Sequence, residues 1–128
     1  MALSKRVSSI LPIACAWMVA FTAVLVATPS KDAISVTLVG EITDTLCAAH
    51  GSHAYMMEQM KSMGTDKVSC IQKCLQLGGK LALYVADKKT VYKIDNPDKV
   101  EQFEGRKVRI SGEAHKNNLK VDEIEAAD

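Results

Sequence analysis

Ile34-Ser35-Val36-Thr37-Leu38-Val39-Gly40-Glu41-Ile42-Thr43 sets Ile34, Val36, Leu38, Gly40 and Ile42 against Ser35, Thr37, Glu41 and Thr43. A period of two in β-branched and apolar side chains predicts a strand with one face on a core. The same pattern returns at Leu81-Leu83-Val85, turns through Asp87-Lys88-Lys89, and resumes from Thr90 to Ile94. Lys107 to Ala114 and Leu119 to Ile124 form a closing hairpin around Asn117-Asn118. Between the third and fourth strands, Asn96-Pro97 opens a short helix, since Asn caps well and Pro suits the first helical position. Val100 and Phe103 face inward from it and Gly105 stops it.

The chain is therefore mainly β with a helical insertion over about 44–79. Five strands with a helix between strands 3 and 4 is the order of a five-stranded OB-like barrel. The rival arrangement is an open antiparallel sheet with its helices on one face. A closed sheet has the advantage of leaving no exposed edges.

Upstream of the first strand the composition changes. Ser4-Lys5-Arg6 is a short basic start, no acidic residue precedes Asp32, and Ile10 to Ala27 is an uncharged apolar run of 18 residues. A basic start, an apolar run and a small residue make a secretory signal, so 1–27 is expected to be a signal peptide cleaved ahead of Thr28. The run also reaches the length of a membrane span, roughly 17–25 residues, and the alternative is an uncleaved anchor. Cys15 lies inside the apolar run, not at its end, so it is no lipoprotein cysteine. Residues 28–33 then form a linker and 34–126 a single OB-like domain, exported to a periplasmic or extracellular location.

Without Lys5 and Arg6 the 16 basic residues fall to 14, against 15 acidic ones. That balance gives no electrostatic reason to expect nucleic acid or anionic lipid as a partner. A membrane is a partner only if the leader stays uncleaved. Arg106-Lys107-Val108-Arg109 gathers basic residues, but strand alternation places them on an outer face. No G-x-S-x-G, H-E-x-x-H or P-loop occurs, which points away from an enzyme.

The insertion holds the reactive side chains. Cys47-Ala48-Ala49-His50 is a C-x-x-H step and Cys70-Ile71-Gln72-Lys73-Cys74 a C-x-x-x-C step. Asp66 caps a helix running to about Leu77, and Gly78 ends it. At about 100° per residue, Val68, Ile71 and Leu75 share an apolar face, and both cysteines point away from its centre. Their natural counterpart is Cys47 with His50, while Asp44 caps the turn before Cys47.

Three readings follow. A disulfide of Cys47 with Cys70 or Cys74 suits an exported domain and contributes about 3 kcal/mol. It leaves one cysteine over, and the domain is then a ligand- or protein-interaction module without metal. A soft-metal site of Cys47, His50, Cys70 and Cys74 uses every thiol, with zinc or copper(I) as the ion. Copper(I) gains from His53, Met56, Met57 and Met60, which share one face if 52–63 is helical, with Met63 at its edge. The same stripe also serves as adaptable packing. Thiol redox chemistry is the third reading, although C-x-x-x-C is not the spacing of thioredoxin-like motifs.

Gly40-Glu41-Ile42-x-Asp44-x-x-Cys47, His50, Cys70-x-x-x-Cys74, Gly78-Gly79-Lys80-x-x-Leu83-Tyr84 and Phe103-Glu104-Gly105-Arg106-Lys107-Val108 together resemble a family of short exported bacterial proteins with no assigned activity. The resemblance covers most of the chain after the leader. It implies export and a compact OB-like domain, and it transfers no catalytic residue.

Overall fold

The structure is a computed structural model that describes residues 32–51 and 53–127. The leader with Cys15, and linker residues 28–31, lie outside the described residues. Among the described residues no helix is long and apolar enough to cross a membrane.

Five strands form one mixed sheet: β1 (Ile34–Asp44), β2 (Leu81–Val85), β3 (Thr90–Ile94), β4 (Lys107–His115) and β5 (Asn118–Ala126). Their pairing order, β1-β2-β3-β5-β4, returns to β1. β1 accomplishes this by serving two neighbours. Ile34 to Glu41 pair antiparallel with β4, and Glu41 to Asp44 pair antiparallel with β2. At the changeover Gly40 lies so near the Tyr84 carbonyl that a Cβ would collide with it, the close backbone approach that favours glycine in a strand. On the far side β4 and β5 slip register between Ser111 and Gly112, a bulge that bends the pair.

The remaining seam is the short parallel contact of β3 with β5, through Lys93↔Asn118 and Ile94↔Leu119. Asn96 lengthens it with its side chain. Its Nδ2 donates to the Val121 carbonyl at 2.8 Å, and its Oδ1 accepts from the Val121 N–H at 2.9 Å. This overturns the helix expected between the third and fourth strands. An amide spent on Val121 cannot cap, and Asn96 makes no side-chain cap bond. The segment folds instead as two 3₁₀ turns, Pro97–Lys99 and Glu101–Phe103, ended by Gly105 at φ +73°. Val100 is fully buried and Phe103 packs partly buried against the core. The α-helices among the described residues lie elsewhere, between β1 and β2.

Alternate strand positions supply the core: Leu38 and Ile42 from β1, Leu81, Leu83 and Val85 from β2, Val108 and Ile110 from β4, Leu119 and Val121 from β5. Burying such aliphatic side chains stabilises by roughly 1.5–3 kcal/mol each. Lys107 and Arg109 flank buried Val108 on the outer face, and Arg109 pairs with Glu125 at 2.9 Å.

The excursion between β1 and β2 comprises α1 (Thr45–Ala49), α2 (His53–Gln59), a 3₁₀ turn at Lys61–Met63, and α3 (Lys67–Gln76). Both ends of α3 are fixed as its sequence predicts. The Asp66 side chain accepts from the Ser69 N–H at 3.0 Å, and Gly78 takes φ +97°. The Gly78 N–H then donates to the Leu75 carbonyl and that of Gly79 to the Cys74 carbonyl, at 3.1 and 2.9 Å, the paired bonds of a Schellman ending. Ile71, fully buried in the sheet core, docks α3 onto the sheet. Val68, expected on the apolar face, is instead 46% exposed. The buried stripe of α3 is Cys70, Ile71 and Cys74.

Candidate metal centre

The residue that organises the centre is Asp44, where β1 passes into α1. Its Oδ1 accepts from the N–H groups of Leu46 and Cys47 at 2.9 and 2.8 Å, as a capping aspartate should. This turns the chain and delivers Cys47 on the first turn of α1. Asp44 is itself fully buried, and its Oδ2 has no hydrogen-bond partner.

Cys70 and Cys74, one turn apart on α3, face Cys47. The Cys47 sulfur lies 3.3 Å from that of Cys70 and 3.3 Å from that of Cys74. A disulfide bond is about 2.05 Å, and all three cysteines are free. All three are also buried, in a cluster with Met56 and Met63, against which Leu46 and Met57 pack. The Met stripe is thus divided. Met56 and Met63 are buried, Met57 is half-buried, and Met60 is exposed at the end of α2. Met63, expected at the edge, is among the most completely buried side chains of the molecule.

The structure does not bring His50 to the sulfurs. α1 has only five residues, and His50 is its C-cap, its N–H bonded to the carbonyls of Cys47 and Leu46 and its side chain exposed. The histidine at the centre is His53, at the start of α2. A ring nitrogen of His53 and the sulfurs of Cys47 and Cys70 all lie within 4.8 Å of one another. Its Nε2 is 3.1 Å from the Thr43 hydroxyl and 3.5 Å from Glu41 Oε1, while its Nδ1 is buried and unpartnered. Glu41 is in turn held by Lys67, Nζ to Oε2 at 2.7 Å.

The same burial governs the protonation of the centre. Burial pushes the Cys47 thiol up, with Asp44 and the two other cysteines adding to the shift. Burial likewise pushes Cys74 up to about 11, from an ordinary value of 9.0. His53 moves down, because burial disfavours the imidazolium more than Glu41 and Asp44 favour it. Burial therefore favours the neutral thiols of Cys47 and Cys74 and the neutral imidazole of His53.

One donor was not legible as such in the sequence. Asp44 is read there only as a cap, although the D-x-x-C spacing places an N-cap carboxylate over the first helical turn, beside Cys47. His53 is read there as a secondary donor on the methionine face, because His50 has the more regular spacing from Cys47 and takes its place in the main ligand set. The centre opens on one side to a cleft of about 270 Å³, whose lining includes Cys47, His53, Glu41, Lys67 and Tyr84.

No protein-family model, curated protein or solved structure matches the chain.

Proposed function

We propose that the chain is an exported binding domain of OB type, and that its helical excursion binds a soft metal ion. The OB-type reading rests on the pairing order β1-β2-β3-β5-β4 with a parallel β3–β5 seam, and export rests on the basic start and apolar run of the leader. Cys47, Cys70 and His53 are the ligands, with Cys74 in reach of Cys47.

The observation that carries the metal reading is a ring nitrogen of His53 within 4.8 Å of the Cys47 and Cys70 sulfurs, on a ring whose buried Nδ1 has no hydrogen-bond partner. Ligating histidines hold their other ring nitrogen on a carboxylate or similar acceptor, which fixes the tautomer. Here Glu41, 3.5 Å from Nε2, favours the tautomer with its proton on Nε2, which leaves the Nδ1 lone pair free. Thiolate and imidazole suit zinc and copper(I) alike. Around tetrahedral zinc with Zn–S near 2.3 Å, two sulfurs stand about 3.8 Å apart. The 3.3 Å contacts need to open by only about 0.5 Å to reach that spacing.

A disulfide-held interaction module without metal is the second reading, favoured by the same short sulfur contacts. Closing either to a bond takes an approach of roughly 1.3 Å, and it leaves a third buried thiol and the imidazole unused. Metal titration of the reduced protein, with thiol counting before and after denaturation, separates the two. The metal reading expects tight binding of zinc or copper(I) and loss of thiol reactivity on binding. Two oxidised cysteines, one free thiol and no bound metal would establish the module instead.

A further inference from the structure

The donors at the centre fall into two mutually close groups rather than one. Cys47, His53 and Cys70 form the first, and Asp44, Cys47 and Cys74 the second, with all ligand atoms of each group inside 4.8 Å. Ligands on one zinc ion, at about 2.0–2.3 Å each, cannot stand more than about 4.6 Å apart. No fourth His, Cys, Asp or Glu side chain among the described residues joins either group, so neither group takes in the other as the side chains stand. The two share a single atom, the Cys47 sulfur, which touches both other sulfurs at the same 3.3 Å.

We infer that the centre is built for two zinc ions bridged by the Cys47 thiolate, the second held by Asp44 and Cys74. This inference rests on the metal-binding reading above and extends it. Three independent features support the second position. Asp44 Oδ2 is fully buried with no hydrogen-bond partner, a state that costs about 1–3 kcal/mol or more for a charged acceptor unless something else occupies it. Its Oδ1 is already fixed by two backbone N–H groups, so Oδ2 is presented in one orientation, as ligating carboxylates usually are. The third feature is charge. One divalent ion is neutralised by the thiolates of Cys47 and Cys70 and leaves the buried Asp44 carboxylate unbalanced, whereas a second ion is neutralised by Asp44 together with the Cys74 thiolate. Unbalanced charge is expensive at a site buried this completely.

The second position also selects the ion. Zinc accepts carboxylate oxygen together with thiolate, whereas copper(I) prefers sulfur and imidazole. Copper(I) is therefore expected at the His53 position, and zinc at both. The His53 position borders the cleft through Cys47 and His53. That side gives the ions their route in and leaves room for water as a further ligand on the first.

The test is zinc stoichiometry of the reduced full chain by native mass spectrometry, with cadmium-113 as a magnetic-resonance probe of bridging. Two equivalents are expected, and two cadmium resonances split by coupling through one shared sulfur. Asp44→Asn keeps a good capping side chain but weakens the carboxylate ligand, so it should retain one ion and lose the other. Cys74→Ser should do the same. Cys47→Ser should lose both, with circular dichroism showing that the strand signal persists in each variant. Saturation at one equivalent, uncoupled cadmium signals, or an Asp44→Asn protein that still takes two ions would overturn the bridged pair and leave single-ion binding standing. No zinc or copper(I) bound at all would overturn both.

Discussion

The two packed clusters of this molecule are made in opposite ways. Inside the sheet, thirteen of the described residues are buried and interlock, every one an aliphatic side chain drawn from strands, α3 or the 3₁₀ segment. In the helical excursion the buried set is Cys47, Met56, Met63, Cys70 and Cys74, with unpartnered polar atoms of Asp44 and His53 beside it. The first cluster stabilises by removing apolar surface from water and needs nothing further. The second packs α1, α2 and α3, all of them at or below the length at which isolated helices are marginal. Asp44 Oδ2 and His53 Nδ1 there are buried without a hydrogen-bond partner. One cluster holds the fold, and the other, on the metal reading proposed above, is organised around an ion.

The largest effect should come from the first cluster. Leu83→Ala, at a fully buried position on β2, should destabilise by about 2–5 kcal/mol. Urea denaturation should then show strand and helix signals lost together. A variant that lost only helix would mean the excursion leans on the sheet at that point alone.

Next is occupancy of the second cluster. Zinc at a hundredfold excess over its Kd should stabilise by about 2.7 kcal/mol. Hydrogen exchange should slow first in the amides of 45–79. Uniform slowing over both clusters would mean that they open as one unit.

Glu41→Gln sharpens the contrast from a distance, because Glu41 touches His53 without being a ligand. Loss of such a supporting carboxylate typically costs 10–100-fold in metal affinity. The fold should remain, with an unchanged urea midpoint in the absence of metal.

Acidity and alkalinity should then act on the second cluster from opposite sides. Cys47 and Cys74 keep their protons in the folded, metal-free protein to higher pH than in the unfolded chain. Unfolding therefore releases protons above pH 9, and stability should fall as pH rises from 9 towards 11. His53 is shifted below 6.5, so the unfolded chain binds its proton first and stability should fall as pH drops below 6.5. Urea midpoints across this range should give a plateau between the two limbs. Zinc should abolish the alkaline limb, since bound thiolates have no proton to lose.

The smallest effect is expected at His50. As an exposed C-cap side chain, its replacement by Ala should change stability by no more than about 0.5 kcal/mol and leave metal affinity unchanged. Comparable losses at His50 and His53 would return His50 to the ligand set.

How much of this was legible in the sequence follows the same division. β2 and β3 run from Leu81 to Val85 and from Thr90 to Ile94, as their alternation predicts, because a strand's inward face is written every second residue. α3 was equally readable, since Asp66 and Gly78 mark its ends locally. The segment from Asn96 was not. Its capping amide is claimed by Val121, 25 residues away, and no local pattern reports that. The centre fell between these cases. Helical periodicity turned Cys70 and Cys74 away from Val68 and towards Cys47, but not on to which histidine would meet them. That depends on α1 ending at Ala49 and α2 starting at His53, a matter of two boundaries a few residues apart. Val68 misled for a related reason: α3 rests on the sheet through Ile71 and on the second cluster through its cysteines, which leaves Val68 outside both.

Where the excursion leaves and rejoins the sheet, the chain nearly touches itself. Asp44 pairs with Leu81. One step further out the Thr45 N–H donates to the Lys80 carbonyl at 2.9 Å, and the Lys80 N–H donates to the Thr45 hydroxyl at 3.1 Å. The sheet thus sees 46–79 as it would see the loop of a hairpin, and loop closure grows costlier only slowly with length. In engineering terms the excursion is a cartridge clipped between two adjacent strand ends. Exchanging it for a short turn would also withdraw Ile71 from the sheet core, a gap that a compensating larger side chain would have to fill, whereas moving it with Thr45 and Lys80 into another antiparallel pair of strands would carry its cysteines with it.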